Sequence, residues 1–168
     1  MMPPLWAVRT RQFSANYFGL SHRLSVGGIM LTRESGTRRR IHGRPQKNKE
    51  TVLAYYNMAF NDKKPAEAAE KYGGPHYIQH NPQAPDGFEA FVEFVEGFAE
   101  QFPQMSVDIK RAVAEGDLVV THSLLKTSPE DRGTAAVDIF RLEEGKVVEH
   151  WDVLQPVPES AANDHPMF

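Results

Sequence analysis

The sequence predicts an α+β fold in which helices come first and a curved antiparallel sheet follows. Between residues 49 and 102, apolar residues recur with the 3.6-residue period of helices; from residue 105 onward they alternate with the two-residue period of strands. Short turn sequences separate the predicted strands, so consecutive strands are expected to be antiparallel neighbours. In such a layout the helices cover one face of the sheet.

Three helices are predicted before the strands. The first spans 49–61 and has one apolar stripe made of Val52, Tyr55, Tyr56 and Ala59. The second spans 65–72, with a proline in its first turn and two glycines after its last residue. The third starts at Asp86, which has the spacing of a capping box with Glu89, and it ends before Pro103.

The segment between the second and third helices, residues 76–85, contains two prolines and Asn81 and is predicted to be a loop, with a short extended piece at its start as the alternative. Four strands are predicted after the third helix, at 105–114, 118–127, 134–142 and 147–157. Alternation places Asp138 and Phe140 on one face of the third of these strands. In the last strand, His150 and Asp152 share one face and Trp151 lies on the other.

The composition excludes several classes of protein. The 168-residue chain has no cysteine, which rules out disulfide scaffolds, thiolate metal sites and cysteine nucleophiles. It has no glycine-rich phosphate loop and no G-x-S-x-G sequence, which disfavours nucleotide hydrolysis and serine-hydrolase chemistry. No apolar run approaches the length of a membrane span, so we expect a soluble protein without a membrane partner.

Charge divides the chain into two parts. Residues 1–49 hold ten basic side chains and one acidic one, whereas residues 50–168 hold nine basic and 21 acidic ones. We therefore predict a basic extension without regular structure at 1–48, a globular domain at 49–158 and a C-terminal tail at 159–168.

Three interpretations of the basic extension remain open: an upstream extension from a misassigned start, an organelle-targeting segment, or a functional basic arm. The arm lacks the aromatic interleaving of nucleic-acid-binding segments, so no nucleic-acid partner is expected. The expected location is cytoplasmic, or mitochondrial if the extension is a transit peptide.

Asp138 is the first candidate for chemistry, because it interrupts an otherwise uncharged stretch of strand. A carboxylate buried there without a partner holds its proton more tightly than one in water, which makes it a candidate acid or base. His122 lies alone among apolar residues and could share a proton with Asp138 if their strands are neighbours. The alternative for both residues is a structural role, in which each side chain only satisfies a hydrogen-bonding partner.

The strand-borne His150, Trp151 and Asp152 form a second candidate group, with Asp152 as a second carboxylate if it shares the face of Asp138. The loop residues His80 and Asn81 are candidates for the rim of a pocket. His80, His122 and His150 are the candidate ligands for a metal site, but the sequence offers no closely spaced ligand pair, so no metal is predicted.

Four stretches resemble a known family. They are YIQHNP at 77–82, VAEGD at 113–117, VDIFR at 137–141 and EHWDV at 149–153. Together they resemble the SnoaL-like family, and more narrowly its group of predicted aldol-condensation enzymes, within the nuclear transport factor 2-like superfamily. The resemblance covers residues 49–168 and implies a cone-shaped curved sheet, covered by N-terminal helices, around an apolar pocket, usually in a homodimer.

The resemblance also implies chemistry. The polyketide cyclases of the family use a strand aspartate as acid/base without metal or cofactor; Asp138 looks like that aspartate, and His122 looks like the histidine beside it. The implied ligand is a small, apolar, carbonyl-containing compound. The residues expected to bind it are His80, Asn81, Tyr56, Phe140, His150, Trp151 and Asp152.

Two alternatives to a cyclase or isomerase remain. One is a dimeric binding module without turnover, since this scaffold also hosts non-catalytic proteins. The other is chemistry like that of the related limonene epoxide hydrolases, with Asp138 and Asp152 as the two carboxylates. That second alternative lacks its arginine, because Ala136 stands two residues before Asp138. Ketosteroid isomerases of the same superfamily suggest that Tyr55 or Tyr56 is a hydrogen-bond donor in the pocket.

Overall fold

The computed structural model describes residues 38–168, with side chains from residue 44 onward. The helices are α1 (Arg38–Tyr56), which continues as a π-helical turn (Asn57–Asn61), α2 (Pro65–Tyr72) and α3 (Phe88–Gln101). The strands are β1 (Gly73–Gln79), β2 (Ser106–Glu115), β3 (Leu118–Lys126), β4 (Thr134–Glu143) and β5 (Lys146–Pro156). The predicted α+β fold is therefore confirmed, with each of the four predicted strands beginning and ending within one residue of its expected bounds.

The sheet is mixed rather than wholly antiparallel. Its strand order is β1-β5-β4-β3-β2, with β1 parallel to β5 and the other neighbours antiparallel. The segment after α2, predicted as a loop with a short extended piece as the alternative, begins in strand β1, whose two glycines and Pro75 argue against a strand. Proline is tolerated there because β1 is an edge strand. Gly73 is required by close packing: a Cβ on it would lie 2.4 Å from the Ala69 carbonyl oxygen.

The first helix begins at Arg38, earlier than the predicted start at residue 49. Asn48 explains part of the difference, because it is buried and its side-chain amide donates a hydrogen bond to the Gly116 carbonyl in the β2–β3 turn (3.4 Å). This tertiary contact is invisible to a search for apolar periodicity. The predictions about targeting, a misassigned start or a basic arm concern residues that lie mostly outside the described part of the chain.

The capping box predicted for the third helix is wrong. The helix begins at Phe88 after Gly87, and no side chain caps it. The Asp86 carboxylate instead accepts a hydrogen bond from the Gln79 backbone N–H (2.7 Å), and the Gly87 N–H donates to the Tyr77 carbonyl (2.9 Å). The residues before the helix thus fasten it to the end of β1, which fixes where the chain crosses from sheet to helix.

The hydrophobic core lies between the helices and one face of the sheet, called the inner face below. The predicted helical stripe is buried in it: Val52, Tyr55 and Ala59 have no exposed surface and Tyr56 has 8%. From β4, Phe140 and Leu142 reach the same core. Within residues 38–168, no helix is both long enough and apolar enough to cross a bilayer.

Candidate functional site

A buried carboxylate lies in the middle of the inner face. Asp138 is 1% exposed, and three side chains contact its two oxygens. The Tyr56 hydroxyl donates to Oδ1 (2.7 Å), Thr121 Oγ1 donates to Oδ2 (3.2 Å), and His150 Nε2 lies 3.2 Å from Oδ1. The prediction placed Asp138 in an apolar strand without naming these partners; burial here comes with a nearly complete hydrogen-bond shell.

The end of β1 extends this network. His150 Nδ1 lies 3.0 Å from Gln79 Oε1, and the same oxygen accepts a hydrogen bond from the Asn81 backbone N–H (3.0 Å). The Asn81 side-chain amide in turn contacts both oxygens of Asp152, at 3.0 and 2.7 Å. We call these connected side chains the polar cluster: Tyr56, Gln79, Asn81, Thr121, Asp138, His150 and Asp152.

The polar cluster has a closed end and an open end. Tyr56, Thr121, Asp138 and His150 are buried, whereas Asn81 and Asp152 are half-buried. Asp152 is the direct cross-strand partner of Asp138, so both carboxylates face the same side of the sheet, which was the condition for a second carboxylate. Asn81 and Asp152 are therefore more accessible from solvent than the side chains that contact Asp138.

Tyr56 is a hydrogen-bond donor and not a phenolate. Burial is the main reason that its pKa is raised well above the ordinary value for tyrosine, and the neighbouring Asp138 charge raises it further. Burial likewise raises the pKa of Tyr77, whose ring lies parallel to that of His150 with centroids 6.4 Å apart. Both phenols remain protonated at neutral pH. Tyr56 therefore donates a hydrogen bond to Asp138 whenever that side chain is a carboxylate.

A metal ion could be held by three members of the polar cluster. One ligand atom from each of Asp138, His150 and Asp152 lies within 4.8 Å of the other two. Two carboxylates and an imidazole suit several divalent cations. However, a cation between His150 and Asp138 would replace their direct contact. The residues fit a cation in type, while the observed geometry satisfies them without one.

The predicted pairing of His122 with Asp138 does not occur. His122 is opposite Val137 in the β3–β4 register, and Thr121 is opposite Asp138. The two residues therefore lie on opposite faces of the sheet, because a shift of one residue along a strand reverses the face. His122 stacks instead on Phe168, with ring centroids 5.3 Å apart. His150 from β5 occupies the position beside the aspartate.

His80 and Trp151 also lie on the outer face, away from Asp138. Their rings stack in parallel with centroids 4.5 Å apart, and His80 Nε2 contacts a Glu149 carboxylate oxygen at 2.8 Å. Hydrogen bonds from His80 and Arg141 hold the pKa of Glu149 below its usual range. The predicted roles of His80 at a pocket rim and of Trp151 as a ligand-binding residue are thus not supported by their positions. His80, His122 and His150 cannot meet at one metal ion, because His150 lies on the inner face.

Phe140 was expected to contact ligand, but it lies in the core beneath the polar cluster. It has no exposed surface, and its ring contacts those of Tyr55, Tyr56 and His150 at centroid distances of 6.2, 5.2 and 4.8 Å. Phe140 therefore supports the two side chains that touch Asp138 rather than facing an open space.

Gln79 and Thr121 are the members of the polar cluster that sequence reasoning missed. Thr121 carried a usable signal in the sequence, since the two-residue period of β3 places it on one face with Val119 and Ser123. The structure shows that all three side chains are buried. Gln79 carried a weaker one: it directly precedes the His80-Asn81 pair, but the segment was predicted to be a loop, so no side-chain direction could be assigned to it.

Two surface depressions lie away from the polar cluster. One, of about 490 Å³, is formed by residues of β2 and β3 from Val113 to Val120. The other, of about 340 Å³, lies between the end of α3 and Ser128. Neither is lined by a member of the polar cluster, so an apolar pocket over Asp138 remains a prediction.

Comparisons with known proteins agree with this architecture. The sequence profile of the SnoaL-like domain matches residues 52–150, more than half of the chain. No curated protein shows significant similarity to the chain.

Solved structures show the same fold at low sequence identity. A candidate SnoaL-like polyketide cyclase from Jannaschia sp. CCS1 is 22% identical, with a TM-score of 0.55 over 74% of this chain and 91% of its own. A candidate polyketide cyclase from Acidithiobacillus ferrooxidans is also 22% identical, with a TM-score of 0.55 over 64% and 87%. A candidate ketosteroid isomerase from Kribbella flavida is 15% identical, with a TM-score of 0.57 over 71% and 85%.

Proposed function

The chain belongs to the SnoaL-like domain family, and from that premise we propose that it performs cofactor-free acid/base chemistry on a small carbonyl-containing, polyketide-like compound. The reaction class is aldol-type condensation or cyclisation, or isomerisation. The single observation that supports it best is the contact between Asp138 and His150, a carboxyl–imidazole pair enclosed in a core that is otherwise mostly apolar. Such a pair can accept and return a proton.

In the proposed reaction Asp138, in its carboxylate form, removes a proton from the carbon α to the carbonyl. The C–H electron pair becomes an enolate, which attacks a second carbonyl or is reprotonated at another carbon. The proton held by Asp138 and His150 then returns to the new alkoxide or carbon, so no atom or electron is left over. The Tyr56 hydrogen bond stabilises the carboxylate form of Asp138.

The open end of the polar cluster is the proposed place where ligand binds. Asp152 and Asn81 are half-buried there and can present hydrogen-bonding groups to a bound compound. Asp138 is 1% exposed, so the reacting carbon does not reach it in this geometry. Catalysis therefore requires that ligand binding, or a movement of the loop after β1, gives the carbon access to Asp138. We place Asp138 and His150 in the catalytic role, with Asn81 and Asp152 at the ligand.

A non-catalytic binding module is the second candidate. The hydrogen bonds from Tyr56 and Thr121 to Asp138, together with its contact with His150, favour it, because a satisfied carboxyl group can serve structure alone. Epoxide hydrolysis is less well supported. Asp138 and Asp152 do face each other, but the side chain two residues before Asp138 is Ala136, and Arg141 is engaged by Glu143 and Glu149.

The test is deuterium exchange at α-carbons. Small ketones and β-dicarbonyl compounds are incubated with the protein in D₂O, and loss of the α-proton signal is followed by NMR. We expect exchange faster than in buffer at the same pH, and equally fast after treatment with a metal chelator. Exchange at the buffer rate for every compound, together with a small molecule retained in native mass spectrometry, would support the binding module instead.

We further propose a homodimer formed through the outer face of the sheet. Apolar side chains are exposed there, with Val153 at 70% and Val113 at 65%. Replacing Val153 with Asp should produce a monomer, because a charge would be buried at the contact. Sedimentation velocity at micromolar concentration measures this. The matched control is Phe94→Asp on α3, a position that is 46% exposed but on the helical side, and it should stay dimeric. A monomeric wild-type protein would contradict the proposal.

A further inference from the structure

The side chain of Gln79 is in a position to determine where the protons of the catalytic pair lie. Gln79 is the last residue of β1 and pairs with His150 in the parallel ladder, so the two side chains lie on the same face. Its Oε1 atom is 3.0 Å from His150 Nδ1 and 3.0 Å from the backbone nitrogen of Asn81. Gln79 does not contact Asp138, so its effect on the buried carboxylate acts through His150, while the same oxygen also holds the backbone of Asn81 at the open end.

The Asn81 backbone shows which atom of the Gln79 amide faces the histidine. A backbone N–H can only donate, so the Gln79 atom that it contacts must be the carbonyl oxygen and not the NH₂ group. A carbonyl oxygen can only accept. His150 Nδ1, at the same oxygen, must therefore carry a hydrogen and donate it.

This hydrogen on Nδ1 restricts what can happen at the other nitrogen. His150 Nε2 faces Asp138 Oδ1 at 3.2 Å. If His150 is neutral, Nε2 bears a lone pair, and Asp138 must be protonated to make the contact favourable. If Nε2 is also protonated, His150 is an imidazolium and Asp138 is a carboxylate. Both states contain the same two protons, and they differ only in which side of the contact holds one of them.

We propose that Gln79 is a positioning residue that holds His150 as its Nδ1–H form and thereby keeps one transferable proton between His150 and Asp138. Without the Gln79 oxygen, neutral His150 can carry its hydrogen on Nε2 instead of Nδ1. The Nε2–H group then donates a hydrogen bond to an Asp138 carboxylate. That alternative state has one proton fewer and offers a weaker acid. This inference rests on the proposed function for its catalytic meaning, but not for the proton positions.

The surroundings of the imidazole keep it in this orientation. The Tyr77 ring lies parallel to it, and the Phe140 ring packs at a centroid distance of 4.8 Å. The ionisable groups on the inner face around the pair are Tyr56, Tyr77 and Asp152, and both phenols are neutral. The Asp152 carboxyl group is the remaining ionisable neighbour, and one of its oxygens lies within 4.8 Å of ligand atoms of both His150 and Asp138.

The side-chain nitrogens of His150 provide a direct readout. Long-range ¹H–¹⁵N NMR on the full chain, from pH 5 to pH 9, should show Nδ1 in the protonated range throughout. In Gln79→Leu, neutral His150 should shift to a protonated Nε2 and an unprotonated Nδ1. In Gln79→Glu, the carboxylate still accepts from Nδ1, so the wild-type pattern should persist. Gln155→Leu, an exposed glutamine on β5, is the matched control and should leave the His150 signals unchanged.

Two results would overturn the inference: an unprotonated Nδ1 in the wild-type protein, or a Gln79→Leu spectrum identical to the wild type. If Gln79→Leu does not fold, the wild-type and Gln79→Glu spectra still decide the question. In the α-proton exchange assay, Gln79→Leu should lower kcat, and Gln79→Glu, which still accepts from both the His150 and the Asn81 N–H groups, should restore it. Protonated Nδ1 in a protein without exchange activity would leave the positioning role intact and remove the proposed function.

Discussion

Asp138→Asn is expected to lower the rate of α-proton exchange by about 10²- to 10⁴-fold, the usual contribution of a positioned acid or base. The asparagine oxygen can still accept the Tyr56 hydrogen bond, and its NH₂ group can donate to Thr121 Oγ1, so the fold should be preserved. The substitution removes the acid/base function of the side chain, because an amide does not take up or release a proton near neutral pH. NMR-detected exchange in D₂O measures the loss, and circular dichroism checks that the variant is folded.

The matched control for this variant is Asp108→Asn. Asp108 is a carboxylate on β2 whose side chain is 62% exposed and pairs with Lys110, so its removal should leave exchange at the wild-type rate. If a folded Asp138→Asn variant exchanges protons as fast as the wild-type protein, Asp138 is not the acid/base group. If both variants lose activity equally, the effect reflects charge in general and not the buried site.

Phe140→Ala is expected to reduce the free energy of unfolding by about 3–5 kcal/mol, the typical cost of truncating a fully buried aromatic side chain. Phe140 has no exposed surface and contacts the rings of Tyr55, Tyr56 and His150, so its removal leaves a cavity directly under the polar cluster. Chemical denaturation with a two-state fit measures the change. Because Tyr56 and His150 lose their support, we also expect slower α-proton exchange in the fraction that remains folded.

Phe94→Ala on α3 is the comparison for the stability measurement. Phe94 is 46% exposed and stacks only on Phe98 among the ring contacts of the described residues, so its truncation should cost clearly less. Equal losses for the two variants would mean that the core around Phe140 is not packed as the structure describes. A loss below about 1 kcal/mol at Phe140 would indicate that neighbouring side chains collapse into the space.

The strands and their internal alternation were predictable because each depends on residues close together in sequence. The two-residue period located β2 to β5 within one residue, and it placed Asp138 on the same face as Phe140. For β1 the sequence indicated at most a short extended piece, because Gly73, Gly74 and Pro75 have low strand propensity. Pairing with β5 through long-range contacts outweighs that propensity.

The choice of histidine was not predictable from alternation. Both His122 and His150 lie in strands that neighbour β4, and local periodicity says only which residues of one strand share a face. Which face of β3 meets which face of β4 depends on the register between them, and a change of one residue exchanges Thr121 for His122 opposite Asp138. Register is decided when the whole inner face is buried against the helices.

By itself the sequence determined the α+β class, the helical stripe at Val52 and Tyr55, and the burial of Asp138, because local period and apolar content decide these features. Only the tertiary structure decided the partners of Asp138, namely Tyr56 from α1, Thr121 from β3 and His150 from β5. Gln79 from β1 in turn contacts His150. These residues are far apart in the chain, and their contacts depend on register, edge pairing and packing together, which no single segment encodes.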